Sequence, residues 1–509
     1  MPYVRTVRTS SGATAVQVVW SFHRGSRDIE HIGSAHDGAE LELLKAAARQ
    51  RIAAGQGELD LGLELTGPAR WGSGGGPLPI TSMRMGALLD ALGCAYRELG
   101  LDRAAGGDEV FELLVAARII EPSSKLDSLR VLEEAGISPP SYATLKRRLP
   151  AYANESWRQK VSAACAAHAR LGPASLVLYD VSTLYFEADQ GDGFRESGFS
   201  KERRLEPQVT IGLLAGADGF PLMISAFEGN KAETKTMLPV IESFMAAHHL
   251  PDVTVVADAG MVSEANQKDI EAAGLSFILG AKIPRVPYAV KQWRREHPGQ
   301  DIPDGHVFTQ PWPATEASGR RDKTIYYQYR HDRARRTLRG IDEQVKKAEQ
   351  AVKGKAPVKR NRFIQLAGGT KSVNRELEAK ARALAGLKGY VTNLRACPDG
   401  TPVTAEFVIG SYHQLFQVEK SFRMAKSDLQ ARPIYHHLRD SIEAHLTIVF
   451  AALALSRWIE GRTGWSIRKF VRTTRRYRTI EIQAGGQVIT AASPIPDDLR
   501  RALDQIHGH

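Results

Sequence analysis

The chain has 509 residues, 43% of them hydrophobic and 25% charged, with 68 Lys and Arg against 57 Asp and Glu for a net charge of +11. That length exceeds one ordinary core and predicts about two to four domains, while the positive excess points to a polyanionic partner, nucleic acid ahead of a membrane surface. The three scattered cysteines, Cys94, Cys165 and Cys397, exclude a disulfide framework and a zinc ribbon and fit a reducing cytosol.

Met1 to Gly12 is polar, carries Arg5 and Arg8 and leads into no long apolar core, so no secretory leader is expected. Residues 13–35 alternate and break at His23-Arg24-Gly25-Ser26. The pattern predicts a β-hairpin with strands Ala15 to Phe22 and Ile29 to Ile32. A helix is expected from Glu40 to Ala54. Gly72-Ser73-Gly74-Gly75-Gly76-Pro77 closes this first region, 1–78, as a linker. No Gly-Lys-Ser/Thr follows, which excludes a phosphate loop.

Residues 79–172 read as mostly helical. Ser124 to Ala135 is amphipathic, Gly136 to Pro140 breaks it, and Ser141 is placed to cap a second segment, Tyr142 to Leu149, that carries Lys146, Arg147 and Arg148. Helix, turn and basic helix form a helix-turn-helix-like pattern for DNA. The same pattern is equally that of a plain helical hairpin.

From 173 to 281 the pattern turns to strands: Leu176–Tyr179, Gln208–Leu214 and Pro221–Phe227, with Ala217-Asp218-Gly219 as a hairpin turn. A helix (Thr234 to His248), a strand (Val253 to Ala257), a helix (Ser263 to Ala273) and a strand (Leu275 to Leu279) follow. The order predicts an α/β fold built on a mixed sheet. Residues 282–386 interrupt it as a basic insertion, with strands at Val307–Phe308 and Thr324–Tyr329 and a long helix from Asp332 to Val352. Arg320 to Arg362 holds 15 Lys and Arg against 5 Asp and Glu, and Arg462 to Arg478 holds seven Lys and Arg and no acid. Runs of this size, with Tyr326, Tyr327, Tyr329 and Tyr477 among them, favour contacts with a phosphate backbone over a merely solvated face. Residues 387–460 resume the core and 461–509 form a basic C-terminal region. Leu446 to Leu455, the most apolar run, is too short to span a bilayer and is expected as a buried helix.

Two apolar runs end in an aspartate: Leu176-Val177-Leu178-Tyr179-Asp180 and Val253-Thr254-Val255-Val256-Ala257-Asp258. Strand ends form the rim where α/β sheets bind ligands. Downstream, Tyr412, Glu419 and Lys426 are spaced by seven residues, which places them on one face of a continuous helix. Two strand-end aspartates and a helical glutamate make an oxygen-ligand set for Mg2+, with Mn2+ as a substitute and two ions per active site. Each acid alone has an ordinary use, as a turn former, a helix cap or a surface ion-pair partner. Glu187, Asp189, Asp192 and Glu228 are further acids in the same stretch. His436, His437 and His445 lack partner cysteines and read as structural or DNA-contacting rather than as zinc ligands.

Tyr412-x2-Leu415-x3-Glu419-x6-Lys426 resembles the Y-x2-R-x3-E-x6-K signature of bacterial insertion-sequence DDE transposases, the insertion-sequence-four superfamily. Asp428 to His436, Ile442 to Leu446, Gly198 to Lys201, Gln208 to Leu213, Gly219 to Leu222 and Phe227 to Asn230 are similar to the same group, so the resemblance spans roughly residues 80 to 480. It implies a ribonuclease-H-like catalytic core, interrupted by the insertion, in which Asp180, Asp258 and Glu419 are the first, second and third acids of a DDE triad. It further implies that Tyr412 and Lys426 contact DNA phosphates. The partners implied are double-stranded DNA, as terminal inverted repeats and target, and a second copy of the chain in a homodimer, with no membrane. The expected location is cytoplasmic, at the nucleoid. One departure is plain: Leu415 stands where the signature has Arg, and Arg423 is the candidate substitute. A metal-dependent nuclease of the same fold without strand transfer, and a catalytically inactive DNA-binding relic, are the alternatives.

Overall fold

The computed structural model describes residues 2–9, 12–23, 26–54, 79–172, 174–186, 190–198, 206–261, 264–313, 322–354, 361–367, 370–432, 434, 438–484 and 487–508. The linker at 72–77, the turn at Arg24-Gly25, Glu187, Asp189, Phe199 to Lys201, His436 and His437 lie outside these residues. The chain divides into two compact units. Unit 1 comprises Met1–Arg158, Ala425–Ala431 and Asp440–His509, and unit 2 comprises Gln159–Met424 and Arg432–Arg439.

Unit 1 begins with three antiparallel strands, Tyr3–Arg8, Thr14–His23 and Ser26–Ala35, the last two being the expected hairpin. Helix Gly38–Ala54 covers the sheet and buries Val16, Val18 and Ala48 with Val4, Ile32, Leu41 and Leu44 around them. Helices Gly86–Glu98, Glu109–Ile120, Asp127–Glu134 and Tyr142–Ala153 follow. The 25-residue helix Arg439–Thr463 is long and apolar enough, by length and composition alone, to cross a membrane. Here it is buried along nearly its whole length, from Ile442 to Ile459. A three-stranded sheet of Ile80–Arg84, Thr479–Ala484 and Gln487–Ala492 closes the unit.

The helix-turn-helix-like segment forms helices Asp127–Glu134 and Tyr142–Ala153, the second capped as expected by Ser141, whose Oγ accepts from the Thr144 N–H at 3.1 Å. Gly136 turns the chain at φ +86°, a conformation that favours glycine. Lys146 and Arg147 are exposed. Arg148 is exposed as well, and its guanidinium donates to Asp108, which also accepts from the Tyr152 hydroxyl at 2.9 Å and caps helix Glu109–Ile120 through the Phe111 N–H at 3.0 Å. Arg148 thus ties two helices together.

An ion network joins the N-terminal sheet of unit 1 to its helices. Arg130 donates to Glu121 at 2.7 Å, Glu134 at 2.7 Å, Asp127 at 2.8 Å and Ser34 at 3.1 Å. Glu134 is also paired with His31 at 2.6 Å, and Glu121 with His36 at 3.3 Å. Burial opposes ionisation of Glu121, but His36 and Arg130 outweigh it and hold its carboxyl down at about 2.

Unit 2 is built on an eight-stranded mixed sheet. Its spatial order is Val307–Trp312, Lys323–Tyr329, Leu387–Thr392, Ser276–Ala281, Thr254–Ala257, Leu176–Tyr185, Gln208–Gly216 and Pro221–Glu228. The pairs formed by Ser276–Ala281, Thr254–Ala257 and Leu176–Tyr185 are parallel, and every other pair is antiparallel. Strand Gln208–Gly216 is buried at every residue, as a strand covered on both faces should be. Helix Met237–His248 packs against it and against Pro221–Glu228. The expected turn is present: Gly219 has φ +82°, and the Asp218 carboxylate accepts from the Phe220 N–H at 2.9 Å. Within the segment expected as an insertion, Val307–Trp312 and Lys323–Tyr329 extend the main sheet. Helix His331–Val352, the hairpin Ile364–Ala367 and Thr370–Val373, and helix Arg375–Ala383 enclose a small core of Ile341, Val345, Ala348 and Phe363.

Arg130→Met leaves Glu121 and Glu134 without their shared cation and is expected to cost about 3–5 kcal/mol in denaturant unfolding of the full chain. The contribution of Glu121 is complete above its ordinary value of 4.5 and is lost as pH falls toward its folded value of about 2. Acid titration of the unfolding midpoint should therefore show a loss of about 3 kcal/mol that Glu121→Gln diminishes. In unit 2, Tyr179 donates its hydroxyl to Thr236 Oγ1 at 3.0 Å, and any side chain at Gly212 would overlap that hydroxyl. Gly212→Ala should cost about 1–3 kcal/mol. Unchanged stability would show that Tyr179 moves aside freely.

Candidate active site

The two aspartates are brought together by parallel pairing. Leu176, Val177 and Leu178 lie opposite Thr254, Val255 and Val256. The pairing ends two residues before each acid: Asp180 follows Leu178 within its strand, and Asp258 follows Val256 just past the end of Thr254–Ala257. Adjacent strands sit about 4.8 Å apart, so the segments that lead into two acids 78 positions apart in the chain run side by side. The residues before the acids are buried and apolar: Val177, Leu178, Val255, Val256 and Ala257 are fully covered. Asp180 is half-buried and Asp258 exposed. The apolar runs therefore act as rigid stems that deliver two carboxylates to the sheet surface.

Glu419 arrives from helix Leu415–Arg423, which packs against strands Leu176–Tyr185 and Gln208–Gly216. The helix buries Leu415, Val418, Ser421 and Phe422 and exposes Glu419 and Arg423. Ser421 Oγ donates to the Gly219 carbonyl at 2.7 Å and fixes the helix over the hairpin turn. Arg423, four residues after Glu419, shares its face. Leu415 is buried in the position where the signature has Arg.

The expected single helical face through Tyr412, Glu419 and Lys426 is corrected by the structure. Tyr412 belongs to helix Ala405–His413, Gln414 interrupts the helix, and Glu419 belongs to the next one. Lys426 lies in a π-helical turn, Met424–Asp428. An interruption followed by the wider π turn breaks the 3.6-residue count on which the seven-residue spacing depends. Tyr412 is accordingly buried while Glu419 is exposed. Lys426 falls in the short stretch Ala425–Ala431 that belongs to unit 1.

Tyr412 is aimed at the second acid. Its hydroxyl donates to Asp258 Oδ1. Glycine at position 280 makes this possible, because a Cβ there would come within 2.8 Å of the Tyr412 hydroxyl and 2.9 Å of Ala259. Tyr390 meets the Tyr412 ring edge-on, with centroids 5.0 Å apart at 74°. Lys388 places its ammonium 4.3 Å from the Tyr412 ring centroid. Partial desolvation works to raise the Asp258 pKa. The Tyr412 hydroxyl, the Ala259 and Gly260 N–H groups and the Lys388 charge outweigh it and hold the carboxyl below its ordinary value.

Lys388 and Tyr390 are not among the residues expected from the sequence. Their signal is a Lys-x-Tyr pair in the strand Leu387–Thr392, where residues two apart share a face. Burial pushes the Lys388 pKa down, and the charges of Asp258 and Glu419 push it up. Lys388 therefore feels the second and third acids together. Among the other acids, Asp192 is committed to Arg195 at 2.9 Å and Glu228 is exposed at a strand end. His445 is buried with Nε2 3.2 Å from the Ala431 carbonyl.

The donor set of Asp180, Asp258 and Glu419 is all oxygen, which suits a hard divalent cation that keeps several waters. As they stand, no three His, Cys, Asp or Glu side chains among the described residues are gathered closely enough to ligate one ion. The donor chemistry fits the group: Asp180 lies on Leu176–Tyr185, Asp258 follows Thr254–Ala257, and Glu419 lies on the helix packed against the first of these strands.

Tyr412→Phe removes the hydroxyl from Asp258 and keeps the ring. A hydrogen bond to a charged group contributes about 1.5–3 kcal/mol, less at an exposed carboxylate, so a loss of about 1 kcal/mol is expected near neutral pH. Because the folded Asp258 pKa is depressed, this stabilisation is present above the unfolded value of about 3.9 and vanishes as pH falls through the folded one. Urea midpoints of wild type and Tyr412→Phe should converge in acid. A difference that ignores pH would show that the hydroxyl does not act through the carboxylate.

No curated protein sequence matches the chain. Among solved structures, the cryo-EM structure of a piggyBac transposase synaptic complex with hairpin DNA is similar at 9% identity and a TM-score of 0.37, over 76% of this chain and 76% of that one. Residues 172–455, more than half of the chain, match the family described as Transposase DDE domain. That stretch holds Asp180, Asp258 and Glu419 together with every strand of the unit 2 sheet, and the chain belongs to the transposase DDE domain family.

Proposed function

We propose that the chain is the DNA transposase of an insertion sequence, with a ribonuclease-H-like core in unit 2 and Asp180, Asp258 and Glu419 as its catalytic acids. The observation that carries this reading is the parallel pairing of the segments that lead into Asp180 and Asp258, with the helix that bears Glu419 packed on the first of these strands. Asp258 follows the carboxyl end of its parallel strand, a place where α/β sheets bind ligands. The three carboxylates would hold Mg2+ or Mn2+, two ions per site, which lower the pKa of an attacking water and stabilise the leaving oxygen.

The chain's own side chains position the DNA. Asp180 and Asp258 fix the place of the scissile diester because their strands cannot slide without unseating side chains packed on both faces of the sheet. Tyr412 acts through Asp258, whose carboxylate it orients. Arg423 neutralises phosphate near the cut, and Lys426 contacts DNA phosphate from its own unit. Hydrolysis breaks a P–O3′ bond at each element end, leaving a 3′-OH on the element and a 5′-phosphate on the flank. The 3′-OH then attacks a target phosphorus and displaces the target 3′-oxygen.

The exposed Lys146 and Arg147, the basic stretch Arg320 to Arg362 and the basic C-terminal region supply sequence-independent affinity for the terminal repeats. Arg148 contributes through the fold, because it is committed to Asp108. Two element ends must be held at once, which calls for a homodimer in the DNA complex.

Asp258→Ala should abolish cleavage of an end-bearing duplex in Mg2+ and leave its gel shift within a small factor of wild type, since basic surfaces dominate affinity. Equal loss of both would contradict the separation of roles. Binding should fall with salt at a log–log slope of about −0.9 per phosphate neutralised. Joining of a pre-cut end to a plasmid distinguishes a transposase from a nuclease of the same fold.

A further inference from the structure

Lys388 has no place in the reaction described above, yet it is built into the site. Its strand pairs with Ser276–Ala281, Gly389 lying opposite Ala281 and Tyr390 opposite Gly280. That pairing sets the half-buried Lys388 beside helix Ala405–His413, which packs across both strands. The ammonium lies 4.3 Å from the Tyr412 ring centroid and 5.8 Å from that of Tyr390. The two rings are locked edge-to-face, and Tyr390 is fully buried. The same Tyr412 that carries the ammonium on its ring holds Asp258 by its hydroxyl. A cation buried to this degree, on an aromatic face and beside acids, is a fixed charge rather than a solvated surface lysine.

We propose that Lys388 is the internal counter-cation of the acidic site: seated on Tyr412, it offsets the charge of Asp258 and Glu419 until a divalent ion enters, and the entering ion must compete with it. Two acids on neighbouring elements repel each other, and some positive charge has to keep them ionised and ordered before any ion arrives. The electrostatics agree: Asp258 and Glu419 both act on Lys388, and Lys388 acts on Asp258. An ion approaching Asp258 meets a like charge already in place. Lys388 thereby lowers affinity for the ion while stabilising the ion-free fold. The inference rests on the reading of these acids as metal ligands.

The test is Mn2+ binding to the full chain without DNA, with free Mn2+ followed by its EPR signal. Wild type, Lys388→Met, Lys388→Arg and Asp258→Ala are compared. The expected result is that Lys388→Met binds Mn2+ roughly tenfold more tightly than wild type, while Lys388→Arg binds like wild type. Thermal unfolding should show a lower midpoint for ion-free Lys388→Met and a larger rise on adding Mn2+. Equal or weaker Mn2+ binding by a folded Lys388→Met overturns the proposal and leaves the metal-ligand reading intact. If wild type and Asp258→Ala bind Mn2+ alike, the metal-ligand reading fails and takes this proposal with it. A measurement on the unaltered chain covers the case in which Lys388→Met does not fold. Acylation of Lys388 by an N-hydroxysuccinimide ester, read by mass spectrometry, should accelerate when Mn2+ saturates the site. An unchanged rate overturns the proposal.

Discussion

The site depends on one constraint, the parallel register between Leu176–Tyr185 and Thr254–Ala257. Side chains on a strand alternate between faces, so a slip of one residue would turn every side chain of one strand over. Here consecutive residues of both strands are buried, so that slip would unseat side chains packed on both faces and bury a carboxylate. The cost of either is several times larger than the attraction any single ligand contact provides. The hydrophobic effect, acting on Val177, Leu178, Val255 and Val256, thus sets side by side the segments that lead into two acids 78 residues apart. The helix that carries Glu419 is placed by the same means. Val418 and Phe422 are buried, and the acid between them in sequence is left outside.

Gathering acids raises an electrostatic problem, and the two units handle it differently. In unit 1, Glu121 and Glu134 converge on Arg130, whose guanidinium is largely buried with them. The short distances and several hydrogen bonds make that network a structural joint. In unit 2, Asp258 is held by one phenol, two backbone N–H groups and a lysine that acts at longer range. That arrangement keeps the carboxylate ionised and leaves it exposed to solvent. A joint consumes its charges, whereas the unit 2 arrangement leaves Asp258 with lone pairs to offer.

Much of this was legible in the chain because it is encoded locally. The run before Asp258 read as the strand that ends there, and Asp218-Gly219 read as the hairpin turn that it forms, but Leu176–Tyr185 continues five residues past Asp180, so that acid lies within its strand and not at a rim. Ser141 was recognisable as a cap because a hydroxyl before a helix satisfies a free N–H. What stayed hidden is set by distant partners. Nothing near Val307–Trp312 or Lys323–Tyr329 says that they join the main sheet, because pairing is a property of two strands. The interruption at Gln414 and the π turn at Met424–Asp428 escaped because seven-residue spacing presumes one regular helix. Lys388 stayed hidden for a related reason: its partners Tyr412, Asp258 and Glu419 come from other elements, and a lysine at the start of a strand is ordinary by itself.

The proposed function requires that Asp180, Asp258 and Glu419 hold the same ions, and anomalous scattering from crystals of the full chain grown with Mn2+ and cleaved element ends tests this most directly. The account predicts Mn2+ density between Asp180 and Asp258, with carboxylate oxygens at about 2.1 Å and Glu419 drawn in as a further ligand. Mn2+ density elsewhere, with the three acids left unligated beside bound DNA, would contradict it.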